Sequence, residues 1–121
     1  MANTFKVVTF AAEPASAGTA YKMYTVAGST TTVVLGLILT NIHSTAVTVE
    51  VELVSDTGSR GGANNVTNGT SFLVKDVNIP AGSSLEVLTG GKVVMETTDY
   101  LNIDCSVADK LSGTLSIMEI T

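Results

Sequence analysis

His43 and Cys105 are the only histidine and the only cysteine of the 121-residue chain, so they limit the nucleophilic chemistry that it could perform. A hydrolytic triad needs a nucleophile, a histidine and a third group that orients the histidine. The sequence contains neither a nucleophile elbow nor a papain-like cysteine context. His43 lies in the stretch NIHST, which is typical of a turn. A single histidine also excludes a metal site built from several histidines.

Four of the five aspartates are the next candidates, because carboxylates bind calcium and work in pairs in glycan hydrolases. No D-x-[DN]-x-[DN]-G loop occurs, and the acids fall on predicted turns and strand faces rather than across a cleft. Asp99 precedes a strand in ETTDYL, where its side chain is expected to bond nearby backbone amides and fix the turn. We therefore predict no enzymatic activity, no metal ion and no cofactor. The four are Asp76, Asp99, Asp104 and Asp109.

The composition is apolar and weakly charged, with 45% hydrophobic and 14% charged residues. About 25% charged residues is usual for a soluble domain, and such a low value is common in β-rich assemblies whose surfaces are partly buried against neighbours. A net charge of -5 disfavours nucleic acid as a partner. The basic residues are also too scattered to follow a phosphate backbone. They are Lys6, Lys22, Arg60, Lys75, Lys92 and Lys110.

Secretion and membrane signals are not recognisable in the sequence. MANTFKVVTF lacks a basic region followed by an apolar stretch and a cleavage site, so we expect synthesis in a cytoplasm. The longest apolar stretch, VVLGLIL at 33–39, is shorter than the ~20 residues that span a bilayer, and we expect no membrane partner. Cys105 has no second cysteine to pair with, and the alternating run at 101–107 predicts that it is buried.

Alternation of apolar and polar residues between turn signals predicts about nine strands and no amphipathic helix. We expect one all-β domain over 1–121, an antiparallel β-sandwich of eight to nine strands that is jelly-roll-like or Ig-like. Residues 1–19 would form an N-terminal arm, with a first strand and a Pro and Gly loop at 11–18. The predicted strands are 5–10, 21–26, 31–42, 44–54, 72–79, 83–88, 92–96, 97–107 and 112–121.

Three stretches carry more specific expectations. Residues 31–42 are apolar at both alternating positions, which predicts a central strand covered on both sides, with Gly36 at a bulge or a close backbone approach. In 44–54 the alternation is strict, so Glu50 and Glu52 should lie on a solvated face. Gly90 and Gly91 are expected to turn a hairpin between the strands at 83–88 and 92–96.

Residues 55–70 are rich in Gly and Asn and are predicted to form a long exposed loop, and long loops in compact domains are often functional. It contains glycosylation sequons at Asn65 and Asn68, which matter only in a secreted eukaryotic protein. The loop and the N-terminal segment 2–9 both flank the densest core strands and are poorly patterned. We predict a contact surface there, formed by Ala2, Asn3, Phe5, Arg60, Asn64, Asn65 and Asn68.

Three stretches of the sequence have residues typical of turn and core positions in a β-sandwich. They are YTVAGSTTTVVLGLILTNIHSTAVTVEVEL, SFLVKDVNIPAGSSLEVLTGGKVVMETTDYLNI and GTLSIMEI. Together these stretches resemble a family of small virion structural proteins of tailed bacteriophages, notably those of cyanobacteria and other aquatic bacteria. The likeness runs from about Tyr21 to the C-terminus. Its most recognisable pieces are the AGSTTTVV turn and strand, the NIH turn and the IPAG to GGKVV series.

The resemblance implies a protomer made in the cytoplasm of an infected bacterium that joins a symmetric particle. The leading expectation is a capsid decoration, or cement, protein on the capsid surface of the virion. Its partners would be the major capsid protein and further copies of itself, with a trimer favoured. A neck or tail component and a host-surface adhesin are the alternatives, and the scarcity of aromatic residues disfavours the adhesin.

Overall fold

A computed structural model of the chain describes residues 2–55 and 69–121. These residues form nine strands and no helix, so nothing in them qualifies as a membrane-spanning helix. The all-β prediction is confirmed. The strands are β1 (Asn3–Glu13), β2 (Tyr21–Thr25), β3 (Thr31–Asn41), β4 (Val47–Val54), β5 (Thr70–Ile79), β6 (Ser84–Glu86), β7 (Val93–Met95), β8 (Tyr100–Cys105) and β9 (Leu111–Ile120).

Two antiparallel sheets make up the sandwich. The first sheet has the order β1-β9-β3, and β6 and β7 both pair with the other edge of β3. The second sheet has the order β2-β8-β4-β5. Among the connections, only β4 to β5 and β6 to β7 join strands of the same sheet. This arrangement is that of a jelly roll, so the jelly-roll alternative is the one observed.

The core lies between the inner faces of the two sheets and follows the period of two that the sequence predicts. In β4, for example, Val47, Val49 and Val51 are buried, whereas Glu50 and Glu52 are turned to the other face, as expected. Full burial of one such apolar side chain contributes about 1.5–3 kcal/mol. The largest buried side chains are Leu37, Leu39, Ile79, Met95, Leu101, Ile103, Leu111, Leu115 and Ile117.

The prediction that β3 is covered on both sides is wrong. Its inward residues, such as Val34 and Leu37, are fully buried, but Ile38 on the other face is 42% exposed. The predicted bulge at Gly36 is confirmed, because the register with β9 shifts between Val34 and Gly36. A Cβ at Gly36 would meet no atom within 4 Å, so the glycine serves the bulge and not a close approach.

The hairpin predicted at Gly90 and Gly91 is also wrong. β6 pairs with Ile38–Thr40 of β3, and β7 pairs with Thr32–Val34 of the same strand. Both pairings are antiparallel, so β6 and β7 follow one another along a single edge of β3 and do not pair with each other. Local turn chemistry suggested a reversal because paired glycines favour hairpins, but the backbone groups of both strands bond to β3 instead.

Two loop boundaries differ from expectation. Residues 11–13 belong to β1 and not to the predicted loop, because Glu13 pairs with Leu111 of β9 after a bulge. The strand predicted to begin at Ser44 begins at Val47. Of the loop predicted at 55–70, the structure describes only the two ends, where the backbone N–H of Ser55 donates to Gly69 O at 2.9 Å. Its residues 56–68 lie outside the described part of the chain.

Phe10 joins the two sheets at one end of the core. Its ring packs edge to face against Tyr21 of β2, with ring centroids 5.2 Å apart. It also lies over Gly113, the residue opposite it on β9. A Cβ at Gly113 would overlap the ring at Cε1 and Cζ, so this position of β9 requires glycine.

Gly113→Ala is expected to lower the free energy of unfolding by about 1–3 kcal/mol, because the new methyl overlaps a packed ring. Urea denaturation followed by circular dichroism measures the change. Gly28→Ala is the matched control, since a Cβ at Gly28 meets no atom within 4 Å. In a Phe10→Leu background the cost of Gly113→Ala should shrink, and an equal cost in both backgrounds would contradict the overlap.

Candidate functional site

The bend that contains His43 is held by a different side chain. Asn41 is fully buried, and its Oδ1 accepts a hydrogen bond from the His43 backbone N–H at 2.7 Å. The Asn41 Nδ2 donates to Thr45 O and to Ile79 O, both at 2.9 Å. The turn predicted around His43 is therefore present, and it depends on an asparagine that the sequence pattern did not single out.

Asp99 has the structural role that the sequence predicts. It is only 4% exposed, and its Oδ2 accepts a hydrogen bond from the Glu96 backbone N–H at 3.0 Å. The Asp99 backbone N–H donates to Glu96 O at 3.0 Å, and its own carbonyl accepts from Val26 N at 2.9 Å. The two bonds with Glu96 close the turn between β7 and β8, in which Thr98 adopts a φ of 71°, and the bond from Val26 joins this turn to the residue after β2.

An acidic depression lies on the outer face of the second sheet, where Glu50 and Asp104 are direct cross-strand neighbours. Asp104 Oδ1 accepts from the backbone N–H groups of Gly18 at 3.2 Å and Cys105 at 2.8 Å, and Glu50 is bonded to Lys75 at 3.1 Å. Cys105 is buried, as expected. Within residues 2–55 and 69–121, no three His, Cys, Asp or Glu side chains converge as a metal site requires.

The predicted contact residues divide into two groups. Ala2, Asn3 and Phe5 lie at the start of the first sheet and are exposed, with Phe5 at 72% of its full accessibility. The second group falls within 56–68, outside the described residues, and consists of Arg60, Asn64, Asn65 and Asn68.

Phe5 continues into a line of apolar side chains across the outer face of the first sheet. It lies opposite Met118 of β9, Met118 lies opposite Val33 of β3, and Val33 lies opposite Val94 of β7. Residues directly opposite each other in an antiparallel pair share a face, so these four side chains form one continuous row. We call Phe5, Met118, Val33 and Val94 the apolar row.

The apolar row is open to solvent at both ends. Phe5 is 72% and Val94 is 61% exposed, whereas Met118 and Val33 are half-buried between them. Val7, which is 64% exposed, lies beside Phe5 on the same face. Along β1, β3 and β9, which the structure describes in full, the outward positions carry no charged side chain. The patch is therefore apolar and hydroxyl-rich, which is typical of a surface that another molecule covers.

Only Phe5 of the apolar row belongs to the contact surface predicted from the sequence. A weak signal exists for Val33 and Val94, since TTVVLGLIL and KVVM place apolar residues at both alternating positions. Such a pattern indicates that each face of the strand is apolar, but it does not specify which residues of distant strands lie side by side. The strand register supplies that information.

A hydrogen-bonded cluster fixes the strand positions next to the apolar row. Glu119 of β9 accepts a hydrogen bond from the Tyr24 hydroxyl at 2.5 Å and forms an ion pair with Lys6 of β1 at 2.7 Å. The Tyr24 hydroxyl also lies 2.8 Å from Thr32 Oγ1 of β3. Since Tyr24 belongs to the second sheet, this carboxylate joins the two sheets at the end where the row begins.

Burial, together with the neighbouring carboxylate of Glu119, raises the pKa of Tyr24 to about 12. The hydrogen bonds from Lys6 and Tyr24 lower the pKa of Glu119 below its ordinary value. Glu119 is therefore ionised at neutral pH and Tyr24 is protonated, so the hydroxyl is the donor in their hydrogen bond. Lys6 lies between Phe5 and Val7, and Glu119 follows Met118. The cluster therefore supports the register of β1 and β9 that forms the apolar row.

Glu119→Gln is expected to lower the free energy of unfolding by about 1 kcal/mol at pH 7, because the charged partner of Lys6 and Tyr24 is lost. The wild-type contribution is present above the unfolded glutamate pKa of about 4.3 and is lost as the pH falls through the lower folded pKa. The difference between the two proteins should therefore shrink below about pH 4.

Urea titrations from pH 3 to pH 7 measure this dependence, with Glu86→Gln on the exposed strand β6 as the control. The control should match the wild type across the range. A Glu119→Gln deficit that stays constant with pH would contradict the role assigned to the carboxylate.

Comparison with known proteins gives little family information. No family model matches the sequence, and no curated protein matches it. Among solved structures, the chain is similar to one of the Bacillus endospore appendages, which "form a novel family of disulfide-linked pili". The TM-score is 0.49 at 16% identity, over 99% of this chain and 87% of that chain. A likeness of this degree establishes neither a family nor a function.

Proposed function

We propose that the protein is a non-enzymatic structural component of a tailed-bacteriophage particle, a decoration protein that binds the outer capsid surface and stabilises the shell. The apolar row is the observation that carries a docking function, because it places exposed Phe5 and Val94 on a sheet face whose three long strands, β1, β3 and β9, carry no charged outward side chain. The assignment to a bacteriophage particle rests on the sequence resemblance to small virion proteins. The proposed partners are the major capsid protein and further copies of the chain, with no nucleic acid and no membrane.

The two outer faces of the sandwich differ in a way that orients it. The first sheet presents the apolar row, whereas the second presents Glu50 directly opposite Asp104. Lys75 pairs with Glu50 at 3.1 Å, but removing these charged side chains from water would still carry a desolvation cost, so this face favours solvent. We infer that the first sheet faces the shell and the second sheet faces outward.

The expected strength of one contact is modest. Full burial of a Val or Phe side chain contributes about 1.5–3 kcal/mol, while association costs at least ~4 kcal/mol in lost freedom of motion. One row of four side chains therefore gives a weak contact by itself. Many copies on a symmetric shell, each linked to its neighbours, would gain avidity that a single contact lacks.

Copy number in purified virions tests the proposal directly. Quantitative mass spectrometry compares the amount of this chain with that of the major capsid protein in the same particles. We expect the copy numbers of the two proteins to be of the same order. A copy number that is a small fraction of the capsid protein's would assign the protein to the neck or tail. Its absence from particles would overturn the structural proposal.

Val94→Lys is expected to weaken rebinding to particles stripped of this protein by about tenfold or more, because a charge would be buried against an apolar contact. Asn102→Lys is the matched control, since it adds the same charge to the outer face of the second sheet. Co-sedimentation at two salt concentrations measures both. Equal weakening by the two variants, or binding that salt abolishes, would contradict docking through the apolar row.

A further inference from the structure

One edge of β1 remains open in the part of the chain that the structure describes, because β1 pairs only with β9. Ala2 and Thr121 exchange both backbone hydrogen bonds, at 3.1 and 3.0 Å. Such pairs alternate along an antiparallel ladder, and the register is regular from Asn3 to Phe10. Every second residue therefore directs its N–H and C=O away from β9. These residues are Asn3, Phe5, Val7 and Thr9.

The other sheet edges carry features that discourage strand pairing. β6 and β7 are three residues long, and β2 is five residues long with a bulge after Lys22. β5 pairs irregularly with β4 and carries Lys75 next to Asp76, which has a φ of 51°. Short length, bulges and charges are the usual protection of an edge strand. Between Asn3 and Phe10, β1 has no bulge, no proline and a single charge.

That single charge is already neutralised. Lys6 forms its ion pair with Glu119 of the neighbouring strand at 2.7 Å. The chain as a whole has a net charge of -5, yet residues 3–12 contain no acid. Two identical copies can therefore approach at this edge without bringing uncompensated like charges together.

We propose that two copies of the chain pair antiparallel through the free edges of β1, so that their first sheets form one continuous sheet. This inference goes beyond the proposed function and does not depend on binding to a shell. The unpaired N–H and C=O groups of each edge would bond to those of the other, which is the usual mode of sheet extension.

The register follows from side-chain contacts at the new interface. Pairing of Lys6 with Lys6 of the second copy would place like charges directly opposite and is disfavoured. With Val7 on the twofold axis, Phe5 lies opposite Thr9 of the second copy. The free N–H and C=O groups of Phe5, Val7 and Thr9 then all form hydrogen bonds across the interface. The two apolar rows then lie on the same face of the extended sheet. A twofold pairing of this kind closes as a dimer and replaces the trimer implied by the resemblance.

Sedimentation analysis of the purified full chain tests the dimer. Val7→Pro removes an N–H on the free edge but none from the β9 ladder, and proline is tolerated at such a position. We expect the dimer dissociation constant to rise by about tenfold or more for Val7→Pro and for Val7→Lys. Val94→Lys is the control because Val94 has a similar exposure, 61% against 64%, but lies away from the edge.

Amide hydrogen exchange gives a second, residue-specific readout. In a monomer, the Phe5 N–H faces solvent and exchanges fast, whereas the Lys6 N–H is bonded to β9 and exchanges slowly. In the dimer both should be protected, and Val7→Lys should expose Phe5 while leaving Lys6 protected.

A monomeric wild type, a trimer that Val7→Pro leaves intact, or dissociation by Val94→Lys alone would overturn the edge pairing. A dimer that is absent from virions would overturn only the proposed function. A monomer present at shell-level copy number would overturn only the dimer.

Discussion

The pairing of β9 with β1 on one side and β3 on the other is the interaction on which the first sheet depends. Because side chains alternate between the faces of a strand, burying Leu115 and Ile117 in the core places Met118 outside. The same register brings Phe5 and Val33 to either side of Met118. The apolar row is therefore a direct consequence of the pairing that builds the core.

The residues that secure this pairing are small or polar. Gly113 leaves room for the ring of Phe10, which joins the two sheets at one end. At the other end, Glu119 bonds both to Lys6 of β1 and to Tyr24 of the second sheet. Together these contacts hold β1 regular along a free edge, where a strand has a hydrogen-bonded neighbour on one side only.

Local sequence patterns predicted the features that depend on neighbouring residues. Strand alternation, the burial of Cys105, the bulge at Gly36 and the turn made by Asp99 all follow from residue types within a few positions. The strand positions along the chain were also close to those observed, because turn residues separate the apolar runs.

Features that depend on distant pairing were not predictable in the same way. The apolar residues on both faces of β3 suggested burial on both sides, but nothing in the run shows that one face carries the apolar row. Gly90 and Gly91 suggested a hairpin, yet β6 and β7 both add to β3. Asn41 was missed because its importance comes from Ile79, a residue 38 positions away.

The contrast between the faces of the sandwich links fold and function. An apolar row with exposed Phe5 and Val94 at its ends is unfavourable in water, whereas the charged side chains of Glu50 and Asp104 are unfavourable out of it. One molecule therefore has a side suited to contact and a side suited to solvent. The proposed role in a symmetric particle would use this asymmetry and requires no reactive group.

Hydroxyl-radical footprinting of purified particles, with the free protein alongside, tests the central claim most directly. It compares the labelling of reactive side chains on both outer faces. Protection of Phe5 and Met118 in the particle, with Tyr100 on the second sheet labelled equally in both samples, is the result that this account predicts. Protection of Tyr100 with unchanged labelling of Phe5 and Met118 would show that the sandwich binds through the opposite face and would contradict it.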